Sequence, residues 1–205
     1  MAEWTARLGR NSAGRSARTR KYRLNTGKRL VSSGSRGASE AYLVPDLLTN
    51  HLRLVFCGTA PSTASAQANA YYAKPGNKFW RTLHEVGLTP RQFQPSEYRK
   101  LLALNIGLTD LCKSHCGIDA DLPKGAFDLP AFHRKMAQYQ PQYIAFTSKN
   151  AAQIALGTAV VYGLQRMSIG ESLLFVLPSP SGLAVRYFDR DIWHALACLV
   201  NRNIV

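Results

Sequence analysis

Three near-continuous apolar runs of strand length constrain this chain more than any other feature. They are LRLVFCG (Leu52 to Gly58), QYIAFTS (Gln142 to Ser148) and LLFVLPS (Leu173 to Ser179). None alternates polar with apolar residues, as a strand with one wet face does. Strands that read this way are buried on both faces, the condition of a parallel sheet covered by helices on each side. A weaker run of similar length, NIGLTDL (Asn105 to Leu111), falls between the first and the second.

Helical patterns separate these runs. PGNKFWRTLHEVG starts at Pro75 and stops at Gly87, with Phe79, Trp80, Leu83 and Val86 on one face. LPAFHRKMAQY follows Asp128, a residue suited to cap it, and places Phe132, Met136 and Tyr139 at helical spacing. SKNAAQIAL begins directly after QYIAFTS, and DRDIWHALACLV closes the chain with Ile192, Leu196 and Leu199 inward. Alternating β and α elements predict an α/β protein. The expected architecture is a three-layer α/β/α sandwich around a short, mainly parallel, four-stranded sheet. In such a sheet ligands bind at the carboxyl ends of the strands. Those ends are CGTAPS, GLTDL, FTSK and LPSPSG, all small, polar or proline-bearing, and they predict a cleft.

Charge narrows the partner. The chain carries 26 Lys and Arg against 12 Asp and Glu, a net charge of +14. Residues 1–37 hold ten of those bases and one acid, Glu3, so this segment carries +9 and residues 38–205 carry +5. The segment is rich in Ser, Gly and Arg and lacks apolar periodicity. It reads as a tail, disordered when free, ahead of one folded domain over 38–205. Three readings of the tail stay open: a phosphate-tethering arm whose affinity falls with salt, a solvated terminus or misplaced start, and an organelle transit peptide. The overall excess predicts a polyanion partner, with nucleic acid ahead of an anionic membrane surface.

No apolar run reaches the roughly 18–20 residues of a bilayer-spanning helix. No apolar core follows the basic stretch, as a secretory signal requires. Cys57, Cys112, Cys116 and Cys198 are few and scattered, and read as reduced thiols. A cytoplasmic location is expected, nucleoid-associated in a bacterium, with organelle targeting left open. Cys112, His115 and Cys116 cluster, but no second ligand pair stands at zinc-like spacing, so neither metal nor cofactor is expected.

The stretch CGTAPSTASAQANAYYAKPGNKFWRTLHEVGLTP (Cys57 to Pro90) resembles the first signature of the uracil-DNA glycosylase superfamily. Its YYAKPGNKFW block is most like the mismatch-specific uracil/thymine and the hypoxanthine-DNA glycosylases. NIGLTDL, YQPQYIAFTSKNA and VLPSPSG follow in the family's order, so the resemblance spans about residues 50–200. It implies base excision from DNA. A deaminated base, uracil first and hypoxanthine second, is flipped out of the helix, and its N-glycosidic bond is hydrolysed to leave an abasic site. A monomer is the default expectation for an enzyme that closes over one lesion, and no well-placed nucleophilic amine suggests a lyase step.

The resemblance also implies roles. Tyr72 matches the aromatic that stacks on the flipped base, with Tyr71 bordering the same pocket. Backbone amides of Thr59, Ala60 and Ser62 would face the base, and Ser65 matches a position that meets the lesion. Leu183 stands where the family inserts a side chain into the gap left by the flipped nucleotide. Around it Pro178, Ser179, Pro180, Ser181 and Gly182 form the inserting loop. Ser179 and Ser181 suit flanking phosphates, with Arg186 nearby, and Lys149, which opens the helix after FTS, could reach a phosphate. One departure stands out. Mismatch-specific members carry a water-positioning Asn two residues after the first Gly of this motif, and here that place is Ala60. Three candidates stay open for the missing role, Asn77, Asp110, and a hydroxyl of Thr59 or Ser62, with Asn77 and Asp110 favoured as the catalytic pair. Two rival readings accompany the glycosylase: a weak or inactive nucleic-acid binder that keeps the fold, favoured by Ala60, and a small-molecule nucleoside hydrolase, disfavoured by the charge.

Overall fold

The structure is a computed structural model and describes residues 42–123 and 125–202. The basic segment 1–37, with its expected disorder, lies outside the described residues. Five strands form one sheet: β1 (Leu54–Gly58), β2 (Ile106–Asp110), β3 (Tyr143–Phe146), β4 (Gly163–Ile169) and β5 (Ser172–Val176). Their spatial order is β2-β1-β3-β5-β4. The first four in that order run parallel, and β4 pairs antiparallel with β5.

The expected four strands are therefore corrected to five. β4, the extra strand, is an edge strand with a largely exposed, mixed sequence, GLQRMSI. It returns into β5 through a turn at Gly170, whose φ of 58° is left-handed. An edge strand in a hairpin lacks the continuous apolar run that marks a doubly buried strand, and so escapes a search for such runs.

Side chains of the inner strands alternate between two cores. From β1, Leu54 and Phe56 enter one core, and Val55 and Cys57 the other. The first core packs α2 (Phe79–Glu85) and α5 (Arg190–Arg202) against the sheet. Phe79, Trp80, Leu83 and Val86 are all buried there, with Trp193 and Leu196 opposite. Ile192 and Leu199 lie partly buried at its margin. The second core packs α3 (Leu129–Tyr139) and α4 (Lys149–Leu156) through Phe132, Met136 and Ala151. Asp128 caps α3 by accepting from Ala131 N, and Ser148 caps α4 by accepting from Ala151 N. Helices on both faces of a mostly parallel sheet give the three-layer α/β/α sandwich. A short α1 (Thr63–Ala68) and a 3-10 stretch over Pro95–Leu104 add to the expected elements. Among the described residues no helix is long and apolar enough to cross a membrane.

The outer edge of β2 is covered by the segment leading into β1. Leu47 and Leu108 exchange backbone hydrogen bonds of 2.9 and 3.0 Å. This satisfies an edge that would otherwise present unpaired backbone groups. The approach is close enough to require glycine at 107, where a Cβ would stand 2.6 Å from the Leu47 carbonyl oxygen. Gly107→Ala is expected to force that strap off β2 and lower the unfolding free energy by about 1–3 kcal/mol, read from denaturant melts.

Candidate active site

The carboxyl ends of β1, β2 and β3 open into a cavity of about 430 Å³. Parallel register sets Gly58 beside Asp110, and Thr147 follows the last residue of β3. The loop after β1 supplies Thr59, Ala60, Pro61 and Ser62, and the loop after β5 supplies Ser179, Pro180, Ser181 and Leu183.

Asp110 is the chemical centre of this wall. Its side chain is 4% exposed, and its Oδ2 has no hydrogen-bond partner. Gly58 makes room for it, since a Cβ there would collide with Asp110 Oδ1. Burial pushes the Asp110 carboxyl up to about 6, with Lys113 and Lys135 pulling it down and the carboxylates of Asp46 and Asp119 pushing it further up. A carboxyl poised there is ionised at neutral pH and still basic enough to accept a proton.

Tyr72 forms another part of the cavity lining. Its backbone is left-handed, at φ 54°, which is unusual for an aromatic residue. Three contacts hold it there. Its ring stacks on Phe79 at 3.8 Å between centroids and 17° between planes. Its hydroxyl donates to Thr147 Oγ1 at 3.3 Å, which in turn donates to the Cys57 carbonyl at 3.4 Å. The next amide, of Ala73, donates to Ser65 Oγ at 3.1 Å. Burial, then the nearby Asp110, push the Tyr72 phenol well above its ordinary value. Such local strain, held by surrounding contacts, is characteristic of ligand sites.

Asn77 lines the same cavity. Its Oδ1 accepts from Phe79 N at 2.9 Å at the start of α2, which leaves its NH2 as the free polar end. The loop after β5 locks onto this turn. Lys78 N donates to the Pro180 carbonyl at 2.8 Å, and a Cβ on Gly182 would come within 3.3 Å of the Gly76 carbonyl oxygen. Pro178 is buried, its carbonyl accepting from Trp193 Nε1 at 3.1 Å. From this anchored base the loop projects Leu183, which is 71% exposed at the cavity rim.

A model of the uracil DNA glycosylase superfamily matches residues 45–200. The chain belongs to the uracil DNA glycosylase superfamily. Among solved structures, it is similar to the solution NMR structure of a "putative Uracil DNA glycosylase" from Methanosarcina acetivorans. That likeness has a TM-score of 0.55 and 24% sequence identity, and covers 77% of this chain and 96% of the other. It supports the fold assigned above, while the family match frames the cavity as that of a DNA glycosylase.

Within this family setting, the expected site residues separate by position. Thr59, Ala60, Ser62, Ser65, Tyr71, Tyr72, Asn77 and Asp110 all line the one cavity. Two hydroxyl candidates for water are committed elsewhere. Thr59 Oγ1 donates to Asp119 Oδ2 at 3.3 Å, and Ser62 Oγ donates to Ser65 Oγ at 3.0 Å while accepting from Ser65 N. Of the loop after β5, Ser179, Pro180, Ser181 and Leu183 line the cavity, whereas Gly182 and the buried Pro178 do not. Arg186 is exposed on the 3-10 turn Gly182–Tyr187. Lys149 is turned aside, its Nζ 4.3 Å from the centroid of the Tyr162 ring. Among the described residues no group of three His, Cys, Asp or Glu is arranged to hold a metal, and the Cys112 thiol donates to the His115 carbonyl.

Sequence reasoning missed Asp119 and Thr147. Asp119 sits on the loop after β2, lines the cavity, and accepts from Asn150 Nδ2 at 2.5 Å as well as from Thr59. That loop has little periodicity, and only its position after a strand end marks it. Thr147 was visible as part of the FTSK strand end but not as the partner of Tyr72.

The raised Asp110 carboxyl has a cost in stability. The folded state binds its proton more tightly than the unfolded chain, so stability is lost as pH rises from about 4 through about 6. Asp110→Asn is therefore expected to stabilise the fold by about 3 kcal/mol at pH 7 and by well under about 1 kcal/mol at pH 4. Paired denaturant melts at the two pH values check this.

Proposed function

We propose that this protein is a monofunctional DNA glycosylase that excises a flipped, deaminated base, uracil first and hypoxanthine second. The observation that carries the reading is Asp110: a buried carboxylate with one unpartnered oxygen, in a cavity of nucleoside size that it shares with Asn77 and a constrained aromatic. A pocket that only gripped phosphate has no use for a buried carboxylate.

The chemistry follows from these groups. Tyr72 offers a π-face to the extruded base. The C1′–N bond breaks with its electron pair leaving on the base, and the sugar becomes an oxocarbenium-like cation. The Asp110 carboxylate stabilises that cation and takes a proton from the attacking water, whose oxygen bonds to C1′. That proton then passes to the base anion or to solvent. The Asn77 NH2 orients the water in place of the Asn that Ala60 replaces. With the Thr59 and Ser62 hydroxyls engaged elsewhere, Asn77 and Asp110 are the polar groups best suited to this task. Leu183 fills the space vacated in the duplex. A binding protein with the same fold is the second reading, and Ala60 favours it.

Alkali-revealed strand cleavage on oligonucleotides with a single uracil or hypoxanthine separates the two readings. Wild type is expected to cleave, with a single-turnover rate that falls as pH drops through about 6. Asn77→Ala and Asp110→Asn are expected to lower that rate by about 10²–10⁴-fold, and the Asn variant to lose the acid limb. Intact binding without cleavage of any substrate would establish the binding protein instead.

The exposed Leu183 generates a separate expectation. Leu183→Ala should leave excision from single strands unchanged and slow it on duplexes by roughly tenfold or more. An equal loss on both substrates would remove the wedge role.

A further inference from the structure

A buried cluster of charge lies behind the cavity wall. A second cavity of about 50 Å³ shares Asp110 with the first and is also lined by Lys113 and Lys135. Lys113 is 7% exposed. Its Nζ lies 2.8 Å from Asp46 Oδ1 and donates to the Tyr71 hydroxyl at 3.0 Å. Asp46 is held in turn by Thr109 Oγ1 at 2.7 Å and by Lys135 Nζ at 2.6 Å. The hydrolysis described above uses Asp110 but none of Asp46, Tyr71, Thr109, Lys113 and Lys135.

A buried ammonium is costly unless it is paired, and this one is paired so that one of its protons points at a phenol of the base cavity. Tyr71 is 2% exposed and lines that cavity. Its oxygen accepts from Lys113, so its own proton is the donor it has left. A hydroxyl that accepts a charge-assisted hydrogen bond becomes a stronger donor. Burial, then the Asp110 and Asp46 carboxylates, hold the Tyr71 phenol well above its ordinary value, so it stays protonated.

We infer that Lys113 is a positioning residue for base departure: anchored by Asp46, it polarises the Tyr71 hydroxyl, which donates to the base oxygen that gathers negative charge as the C1′–N bond breaks. The inference rests on the glycosylase reading. No proton leaves Tyr71. The electron pair of the C1′–N bond goes to the base, and the new C1′–O bond comes from water. Donors aimed at developing charge act mainly in the transition state.

Leaving-group dependence tests this. Uracil departs less readily than 5-fluorouracil, whose anion is the more stable, so a donor to the departing base matters more for uracil. Single-turnover excision of both bases from duplex DNA is measured for wild type, Lys113→Met, Lys113→Arg, Tyr71→Phe and the Met/Phe double variant. Thermal melts report folding; Asp46 keeps Lys135 and Thr109 in Lys113→Met. Lys113→Met and Tyr71→Phe are each expected to slow uracil excision by about 10–100-fold and 5-fluorouracil excision by only about threefold or less. The double variant should be no slower than Tyr71→Phe alone, and Lys113→Arg should recover most of the rate. If Lys113→Met fails to fold, Tyr71→Phe alone decides by the same two-substrate comparison. An equal loss on both bases, or a Tyr71→Phe enzyme as fast as wild type on uracil, overturns the inference. A wild-type enzyme that excises neither base overturns the glycosylase reading for pyrimidines, and the inference with it.

Discussion

Strand β1 hydrogen-bonds to β2 on one side and to β3 on the other, and all five of its residues are buried. Because the three strands run parallel, their carboxyl ends finish together on one side of the sheet. Every polar group of the cavity wall depends on that alignment. Gly58 sits beside Asp110 through register alone, and the missing Cβ at 58 gives the carboxylate its place. Thr147 reaches the Tyr72 hydroxyl because β3 ends level with β1. The two apolar cores above and below the sheet hold this arrangement fixed, so the site is built on rigid elements.

The site gathers several costs in one place. Asp110 is a buried carboxylate with an unpartnered oxygen, Lys113 a buried ammonium, and Tyr72 an aromatic in left-handed backbone. The last two are offset locally, Lys113 by its Asp46 pair and Tyr72 by the Phe79 stack and the Thr147 and Ser65 hydrogen bonds, whereas the cost of Asp110 is left standing. The loop after β5 and the turn at Asn77 are also joined, through Lys78 N and Pro180 O and through the Gly76–Gly182 approach. The segment that carries Leu183 and the segment that carries Asn77 therefore share one support.

Much of this was legible in the chain. The three apolar runs mark β1, β3 and β5, because strands buried on two faces must be apolar throughout. Asp128 and Gly87 mark helix ends, because capping uses a short menu of side chains and left-handed glycines. The cavity residues from Thr59 to Tyr72, with Asn77 and Asp110, were legible as strand-end or motif positions. β4 was not, because an exposed edge strand carries no obligatory apolar pattern. Nor was the inward commitment of Ser62, Ser65 and Thr59, since a hydroxyl reads the same in sequence whether it faces a ligand or its own backbone.

The class of fold, the side of the sheet where chemistry gathers and the anionic character of the partner can all be read from the chain. These follow from local periodicity, strand polarity and net charge, all of which are linear properties of the chain. Which groups meet depends on the packed fold. Asp46, Tyr71, Lys113 and Lys135 come from four separate places in the sequence, and no spacing rule links them. Their contact exists because the strap before β1 runs along β2 and brings the Asp46 carboxylate to the Lys113 and Lys135 ammonium groups. The pairing of buried charge is a property of volume and distance in three dimensions, and it sets the electrostatics of the cavity.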